Sequence, residues 1–290
     1  KRIKRNNVFR WADDFVEQLV NTKENQEKNQ QRLLAGRLKQ RLFTDYQQAN
    51  RRLLLLDYDG TLVSFKKKPE QAKPDQELIE SLKNLAGDPK NRVVVISGRD
   101  RGSLSEWLAG IEVDLVAEHG IWIKERDYPD WESTQKGNPE DWKSNIYPVF
   151  EVFAERTPGA FIEEKSFSLV WHYRKSEPEL GSLRAKELVD AIRVFLNSTG
   201  LQVLLGNKVV EVKPVDINKG KASVHWLEKE EWDFILGMGD DWTDEDIFAV
   251  LPEQAWSIKV GFTAFTKAHY YVESQKAARS LLKSLAGISG

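Results

Sequence analysis

Residues 53 to 61 read Leu53-Leu54-Leu55-Leu56-Asp57-Tyr58-Asp59-Gly60-Thr61. Four apolar residues that end in a turn signal are typical of a buried strand in a parallel sheet. In open α/β sheets the chemistry lies outside the carboxyl ends of the strands, and Asp57 and Asp59 follow this strand directly. Two carboxylates so close together repel each other unless a cation lies between them. The pair therefore suits a carboxylate that attacks phosphorus, a second one that transfers a proton, and a divalent ion that joins them.

The composition is that of a globular protein. With 290 residues, 40% of them hydrophobic, the chain can form one large domain or two modest ones. The net charge of −2 gives no electrostatic case for nucleic acid or an anionic membrane, and no apolar run approaches the ~20 residues that span a bilayer. The chain has no cysteine, which excludes disulfides and thiolate metal sites. A cytoplasmic enzyme fits this composition, and we expect no nucleic-acid partner and no membrane contact.

Strands and helices alternate after residue 51, and this alternation predicts the fold class. Strands are expected at 53–56, 92–96, 114–117, 232–236 and 256–260, and helices at 74–85, 101–108, 219–227 and 274–285. Such a rhythm predicts an α/β fold with a Rossmann-like parallel-sheet core and right-handed crossovers.

The middle of the chain breaks this rhythm. Residues 167–173 and 209–212 have the pattern of β-strands, and one helix is expected between them at 181–196. Strands and helices segregated in this way predict a separate α+β module. We place this inserted cap at 123–213 and the catalytic core at 41–122 and 214–290. A cap near the strand ends would cover the site and recognise the substrate.

The first 40 residues are predicted to be a helix and a linker. Apolar residues recur at helical spacing between Trp11 and Val20, and a polar stretch follows from Lys23 to Gln31. The chain begins at Lys1 rather than at a methionine, so we expect it to be part of a longer protein. The helix would then belong partly to an upstream domain; the alternative is that it packs on its own domain.

Four polar clusters follow the core strands. They are Asp57, Asp59 and Thr61; Ser97 with Arg99; Lys219; and Asp240, Asp241 and Asp244. Taken singly, each has a simpler interpretation, such as a turn, a solvated lysine or an acidic loop. In this order, at the ends of strands, they resemble the four motifs of the haloacid dehalogenase superfamily of phosphotransferases. The resemblance implies the haloacid dehalogenase fold.

Longer motifs narrow the resemblance. They are Leu55-Leu56-Asp57-Tyr58-Asp59-Gly60-Thr61-Leu62, Ser97-Gly98-Arg99, Glu118-His119-Gly120 and Gly239-Asp240-Asp241-Trp242-Thr243-Asp244-Glu245-Asp246. These motifs are similar to those of trehalose-6-phosphate phosphatases, especially the C-terminal phosphatase domain of the large fungal subunit, over roughly residues 42–285. The resemblance implies hydrolysis of trehalose 6-phosphate to trehalose and inorganic phosphate, the last step of trehalose biosynthesis. It also implies other subunits of a trehalose synthase complex as partners, bound through a missing N-terminal domain.

The resemblance assigns roles to the catalytic residues. Asp57 would attack the phosphoryl group and form an aspartyl-phosphate. Asp59 would act first as a general acid toward the leaving sugar and then as a base toward water. Ser97 and Lys219 would hold the phosphoryl oxygens as a hydroxyl donor and a point charge.

The same resemblance implies a metal ion. Mg²⁺ would bind the Asp57 carboxylate, the Asp59 backbone carbonyl and Asp240, because it is a hard cation that takes oxygen ligands and keeps some of its waters. Asp244 would orient one of those waters from behind.

Substrate recognition is expected mainly in the cap. The resemblance implies that Glu163, Lys165 and Glu211 hold the trehalose hydroxyls and the phosphate, and that Arg99 and His119 contribute from the core. The alternative is that the three cap residues are solvated charges at β-hairpin bends, which is the usual state of Glu and Lys.

Two other functions fit the motifs besides hydrolysis of trehalose 6-phosphate. A phosphatase or phosphomutase for another sugar phosphate is one of them, because the four motifs are shared among these enzymes. A non-catalytic subunit of a trehalose synthesis complex is the other. The charged motif residues disfavour it, since a scaffold has no use for carboxylates that repel each other in a cleft.

Overall fold

The computed structural model describes residues 32–66, 69–134, 140–196, 200–206 and 208–287. These residues form twelve strands: β1 (Arg52–Asp57), β2 (Asn91–Ile96), β3 (Asp114–Ala117), β4 (Trp122–Lys124), β5 (Glu132–Ser133), β6 (Phe161–Glu164), β7 (Leu169–His172), β8 (Leu201–Gly206), β9 (Val209–Pro214), β10 (Phe234–Gly239), β11 (Trp256–Val260) and β12 (Tyr270–Val272). They also form eight α-helices: α1 (Gly36–Gln48), α2 (Gln76–Gly87), α3 (Arg101–Trp107), α4 (Glu140–Glu155), α5 (Pro178–Leu196), α6 (Lys219–Leu227), α7 (Glu245–Val250) and α8 (Gln275–Leu285). The helix predicted between Trp11 and Val20 lies outside the described residues.

The chain divides into two compact units. The larger contains the described residues up to Glu132 and those from Lys219 onward, and the smaller contains residues 133–218. These limits differ from the predicted cap limits of 123 and 213. Strand β4 pairs with β3, Leu115 opposite Lys124, and therefore stays with the larger unit. Pro214 is opposite Leu201 in the smaller unit's sheet, so β9 ends one residue later than the predicted cap.

The larger unit is built on an eight-stranded sheet in the order β12-β11-β10-β1-β2-β3-β4-β5. The pairings from β12 to β3 are all parallel, whereas β3 and β4 are antiparallel. The predicted α/β class with a parallel-sheet core is confirmed. Strand β1 lies between β10 and β2. Its carboxyl end at Asp57 is therefore in the middle of the row of strand carboxyl ends, where ligands bind in such folds.

The four leucines of β1 explain why this strand is central. All four are fully buried. Leu53 and Leu55 pack with Trp226 of α6 on one face of the sheet. Leu54 and Leu56 belong to the apolar cluster on the other face, which includes side chains of α1, α2 and α8. A strand covered on both faces is uniformly apolar, and each buried leucine stabilises the fold by about 1.5–3 kcal/mol.

Helix α1 was not predicted: residues up to 40 were assigned to a helix and a linker, and no element was assigned between residues 41 and 50. Leu42 and Tyr46 of this helix are buried in the core of the larger unit. Before the helix, the backbone N–H of Leu34 donates to the carbonyl of Tyr271 at 2.9 Å, so the chain runs beside edge strand β12. Residues from Leu34 onward are therefore part of the larger unit, whereas the prediction began the catalytic core at residue 41.

The smaller unit has a four-stranded antiparallel sheet in the order β6-β7-β9-β8. Helices α4 and α5 cover one face of this sheet, where Phe150 and Leu188 belong to the same apolar cluster as Leu169 and Trp171. Helix α5 was predicted; α4 was missed because it contains Pro148, a residue that normally breaks helices. Among the helices that the structure describes, none has the length and apolar character needed to cross a bilayer.

Candidate active site

Asp57 and Lys219 form the centre of the site. Asp57 is the last residue of β1 and Lys219 the first residue of α6, and both are buried. The Lys219 ammonium donates to Asp57 Oδ1 at 2.6 Å and to Asp244 Oδ1 at 2.8 Å. A single cation thus joins the first and the last of the sequence motifs, which are far apart in the chain.

Asp244 shapes the loop that follows β10. Its Oδ2 accepts hydrogen bonds from the backbone N–H groups of Asp240 at 2.9 Å and Asp241 at 3.0 Å. Asp241 caps the following turn by accepting from the N–H and the hydroxyl of Thr243 at 2.7 and 2.6 Å. Buried Lys259 of β11 donates to the carbonyl of Asp241. Both oxygens of Asp244 are therefore used by the protein, and Asp240 is the acid that this loop presents.

The carboxylates around Lys219 carry more negative charge than this one ammonium can balance. Burial raises the pKa of Asp57 well above its ordinary value, with a further contribution from Asp244 that Lys219 opposes. Burial and the charges of Asp244 and Asp241 raise the pKa of Asp240 to about 7. Burial lowers the pKa of Lys219, but the charges of Asp244 and Asp57 outweigh this effect and raise it well above its ordinary value. One ammonium thus faces several carboxylates, a surplus of negative charge that favours a bound cation.

The oxygen atoms of the cluster fit a divalent cation. Ligand oxygens of Asp57, Asp240 and Asp244 all lie within 4.8 Å of one another. Two of the carboxylate oxygens, Asp57 Oδ2 and Asp240 Oδ1, are buried without a donor among the described residues. Buried carboxylate oxygens are normally satisfied by hydrogen bonds or by metal ions. Oxygen ligands of this kind suit hard ions such as Mg²⁺ or Ca²⁺.

Gly60 makes room for Asp240. Its backbone has φ +89°, and a Cβ atom there would lie 2.1 Å from Asp240 Oδ2. Gly239 does the same for Asp244, whose carboxyl carbon would lie 2.2 Å from an added Cβ. The absence of these two side chains allows the β1 and β10 loops to bring their acids together.

Replacing Gly60→Ala is therefore expected to weaken binding of a divalent cation at least ten-fold, because the new methyl group displaces Asp240. The matched control is Gly110→Ala, where φ is +73° but nothing lies within 4 Å of the added Cβ. Both variants acquire backbone strain of about 1–2 kcal/mol. Calorimetric titration of the metal-free proteins with Mg²⁺ measures the effect. Wild-type affinity in Gly60→Ala would contradict the prediction.

Asp59 has a partner that the sequence did not indicate. Arg99 Nε donates to Asp59 Oδ2 at 2.7 Å, and Arg99 Nη2 donates to Oδ1 at 2.6 Å. The guanidinium carbon lies 5.2 Å from the Trp107 ring centroid, and Trp107 stacks on Tyr58 at 5.9 Å. Asp59 raises the pKa of Arg99, although burial opposes this. Arg99 was expected to contact substrate, whereas in the structure it holds the carboxylate that was expected to act as general acid.

Ser97 and His119 lie where strands β2 and β3 end. The Ser97 hydroxyl is buried and accepts from the Arg99 N–H at 3.1 Å. The His119 N–H donates to the Ser97 carbonyl at 2.9 Å. His119 and Glu118 have φ of 60° and 49°, the left-handed region, which costs residues other than glycine about 1–3 kcal/mol and is typical of functional sites. The His119 ring lies against Gly98, where a Cβ would approach Nε2 to 2.5 Å.

The three predicted cap residues all lie in the smaller unit. Glu163 is on β6 and Glu211 on β9, and both are aligned with Val170 of the intervening strand β7. Lys165 follows β6, where its N–H donates to the Ser168 carbonyl at 3.0 Å. Their contact with substrate remains a prediction.

Trp107 and His172 contact site residues but were not singled out in the sequence. Trp107 packs on Arg99, and His172 Nε2 lies 2.7 Å from Glu163 Oε2. A signal for His172 exists, since alternation along β7 places it on the face opposite Trp171. Nothing local distinguishes Trp107 from an ordinary core tryptophan.

The fold defines the class of this protein. A solved haloacid dehalogenase-like hydrolase from Bacteroides thetaiotaomicron has a TM-score of 0.62 to this chain, covering 81% of it and 99% of that chain at 13% identity. At this identity the likeness concerns the fold alone. The predicted haloacid dehalogenase fold is thereby confirmed.

The sequence defines a family within that class. The trehalose-phosphatase family model matches residues 55–284, and the chain belongs to this family. A bifunctional trehalose-6-phosphate synthase/phosphatase from Thermoproteus tenax is 39% identical over 289 residues, which cover 98% of this chain and 39% of that protein. The C-terminal domain of a C. albicans trehalose-6-phosphate phosphatase has a TM-score of 0.77 at 29% identity, covering 87% of this chain and 97% of that one. The chain thus spans well under half of the T. tenax relative.

Proposed function

We propose that this chain hydrolyses trehalose 6-phosphate to trehalose and inorganic phosphate through an aspartyl-phosphate on Asp57. The observation that supports this most directly is the buried contact between Lys219 and Asp57 at the tip of the central strand, in a chain of the trehalose-phosphatase family. Lys219 donates to Asp57 Oδ1, whereas Oδ2 accepts from no donor among the described residues. The substrate is inferred from the names of two relatives, a trehalose-6-phosphate synthase/phosphatase and a trehalose-6-phosphate phosphatase.

The reaction has two steps that share the same groups. Attack by a carboxylate oxygen of Asp57 forms a bond to phosphorus while the bond from phosphorus to the sugar oxygen breaks, and Asp59 gives that oxygen its proton. Water then attacks phosphorus, Asp59 takes a proton from it, and the Asp57 carboxylate is regenerated as phosphate leaves. Positioned proton transfer of this kind contributes about 10²–10⁴-fold. Ser97 and Lys219 bind the phosphoryl oxygens throughout.

Arg99 must change partner for Asp59 to act. A carboxylate whose two oxygens both accept from one guanidinium has no oxygen available to exchange a proton with the leaving sugar. The phosphoryl group of the substrate is also an anion that guanidinium groups bind in a bidentate manner. Substrate binding therefore moves Arg99 from Asp59 to the phosphoryl oxygens. Arg99 would then pair with Asp59 in the free enzyme and contact the substrate in the complex.

Mg²⁺ is the proposed cofactor. The ion would be held by Asp57, Asp240 and the Asp59 backbone carbonyl. Asp244 supports Asp240 by accepting a hydrogen bond from the Asp240 backbone N–H. When bound, the ion would neutralise charge that develops on the phosphoryl oxygens. Partner subunits of a trehalose synthesis complex also remain a proposal, supported by the T. tenax relative whose name combines synthase and phosphatase.

Phosphate release from a panel of sugar phosphates, with and without a chelator, tests this function. We expect trehalose 6-phosphate to be preferred, EDTA to abolish turnover and Mg²⁺ to restore it. Strong release from glucose 6-phosphate but not from trehalose 6-phosphate would identify a different sugar phosphatase. Conversion between sugar phosphates without release would identify a mutase, and inactivity on every substrate a non-catalytic subunit. Activity that resists EDTA would remove the metal from the proposal.

A further inference from the structure

The sheet of the smaller unit has one face that helices α4 and α5 do not cover. Leu169 and Trp171 of β7 point to the helices. Because side chains alternate along a strand, His172 points to the opposite face. Phe161 is directly opposite His172 on the neighbouring antiparallel strand and therefore shares this face.

Three side chains on this face make specific contacts. The rings of Phe161 and His172 stack with centroids 4.5 Å apart and planes 3° apart. His172 Nε2 lies 2.7 Å from Glu163 Oε2, and because an ionised carboxylate only accepts, the ring nitrogen is the donor. The Phe161 residue is 48% exposed, and the Glu163 side chain is 45% exposed.

This combination has the chemistry of a sugar site. A pyranose ring has an apolar face of C–H groups and an edge of hydroxyls. An exposed aromatic ring packs against the first, and a carboxylate accepts hydrogen bonds from the second. The contact between His172 and Glu163 is not explained by stability, since an isolated surface ion pair contributes little to the free energy of unfolding. An imidazole that both donates to the carboxylate and stacks on the aromatic ring restricts the two groups in one geometry, which lowers the entropic cost of binding.

We propose that Phe161, Glu163 and His172 form a platform for one pyranose ring of the substrate, which we call the sugar platform. Phe161 stacks on the sugar, Glu163 accepts from its hydroxyls, and His172 is a positioning residue that orients the Glu163 carboxylate. The inference rests on the proposed function, since trehalose 6-phosphate supplies the sugar. It assigns roles to two residues, Phe161 and His172, beyond the acids and lysine predicted for the cap.

Steady-state kinetics with trehalose 6-phosphate test the platform. Phe161→Leu keeps an apolar side chain without a ring, and His172→Leu removes the donor to Glu163. Each is expected to raise KM about ten-fold, with a smaller change in kcat, because contacts remote from the reacting atoms contribute to binding in both the ground and transition states. Phe161→Tyr and His172→Gln, which retain the ring and the donor, should recover most of the affinity. Leu183→Ala, an exposed leucine on α5, is the control and should leave KM unchanged.

Inhibition by unphosphorylated trehalose provides a readout that does not depend on the chemical step. Its competitive inhibition constant is expected to rise by the same factor in the two leucine variants, whereas KM for p-nitrophenyl phosphate, which has no sugar, should change less. An active wild type with unchanged KM in both leucine variants would overturn the platform alone. A lower kcat with unaltered KM and trehalose inhibition would also overturn it. Inactivity of the wild type on trehalose 6-phosphate would instead contradict the proposed function.

Discussion

Asp57→Asn is expected to lower kcat for trehalose 6-phosphate by about 10⁴-fold or more, because an amide cannot attack phosphorus in place of a carboxylate. The fold should survive this change. Asparagine has nearly the same shape, and Lys219 keeps its second partner, Asp244, at 2.8 Å. The substitution also removes one negative charge from a buried cluster that has a surplus of them. We therefore expect the Tm in the presence of chelator to stay the same or rise.

The matched control for this variant is Asp45→Asn. It makes the same chemical change at a surface acid whose ion pair with Arg41, at 3.7 Å, is exposed and weak. Phosphate release and thermal unfolding should both match the wild type in the control. Full activity in Asp57→Asn would eliminate the covalent mechanism. A large fall in Tm would show instead that Asp57 is mainly structural.

Lys219→Met is expected to reduce both turnover and stability. The variant leaves Asp57 and Asp244 buried without the cation that lies between them, and breaking a buried pair costs about 3–5 kcal/mol of unfolding free energy. Loss of a preorganised donor to the phosphoryl oxygens should lower kcat by at least about 10²-fold. Because Mg²⁺ supplies positive charge to the same acids, it should stabilise the variant more than the wild type.

Urea unfolding with and without Mg²⁺ measures these effects. Lys83→Met provides the control, since Lys83 is an exposed lysine of helix α2. It should unfold at the wild-type urea concentration and retain activity. If Lys219→Met were as stable as wild type in chelator, the two carboxylates would not depend on this ammonium for their charge balance.

Much of the larger unit was predictable from local patterns. The strands Asp114–Ala117 and Trp256–Val260 and the helix Lys219–Leu227 were predicted with the limits that the structure has. The first strand is a short apolar run, the second alternates apolar and polar residues, and the helix lies between turn signals, so the local pattern and the tertiary environment agree. Three of the four motifs were predictable for the same reason, because Asp57, Ser97 and Asp240 lie at or directly after the ends of their strands, whereas Lys219 begins helix α6.

Elements with weak local signals were missed. Helix α1 buries Leu42 and Tyr46, and Leu38 and Phe43 pack against the same core, but its other residues are polar or glycine, and the helix was not recognised from its sequence. Helix α4 contains Pro148, and its stability comes from packing of side chains such as Ile146 and Phe150 in the core of the smaller unit. In both helices tertiary contacts outweigh the local preference.

The order of residues along the chain was sufficient to determine a parallel sheet with Asp57, Ser97 and Asp240 at the carboxyl ends of its strands. Parallel strands must bring their carboxyl ends to the same side, whatever the details of packing. Only the tertiary structure decided which side chains pair with which. Asp59 meets Arg99 across 40 residues of chain and Glu163 meets His172 across two strands, because strand register and the available rotamers select these partners.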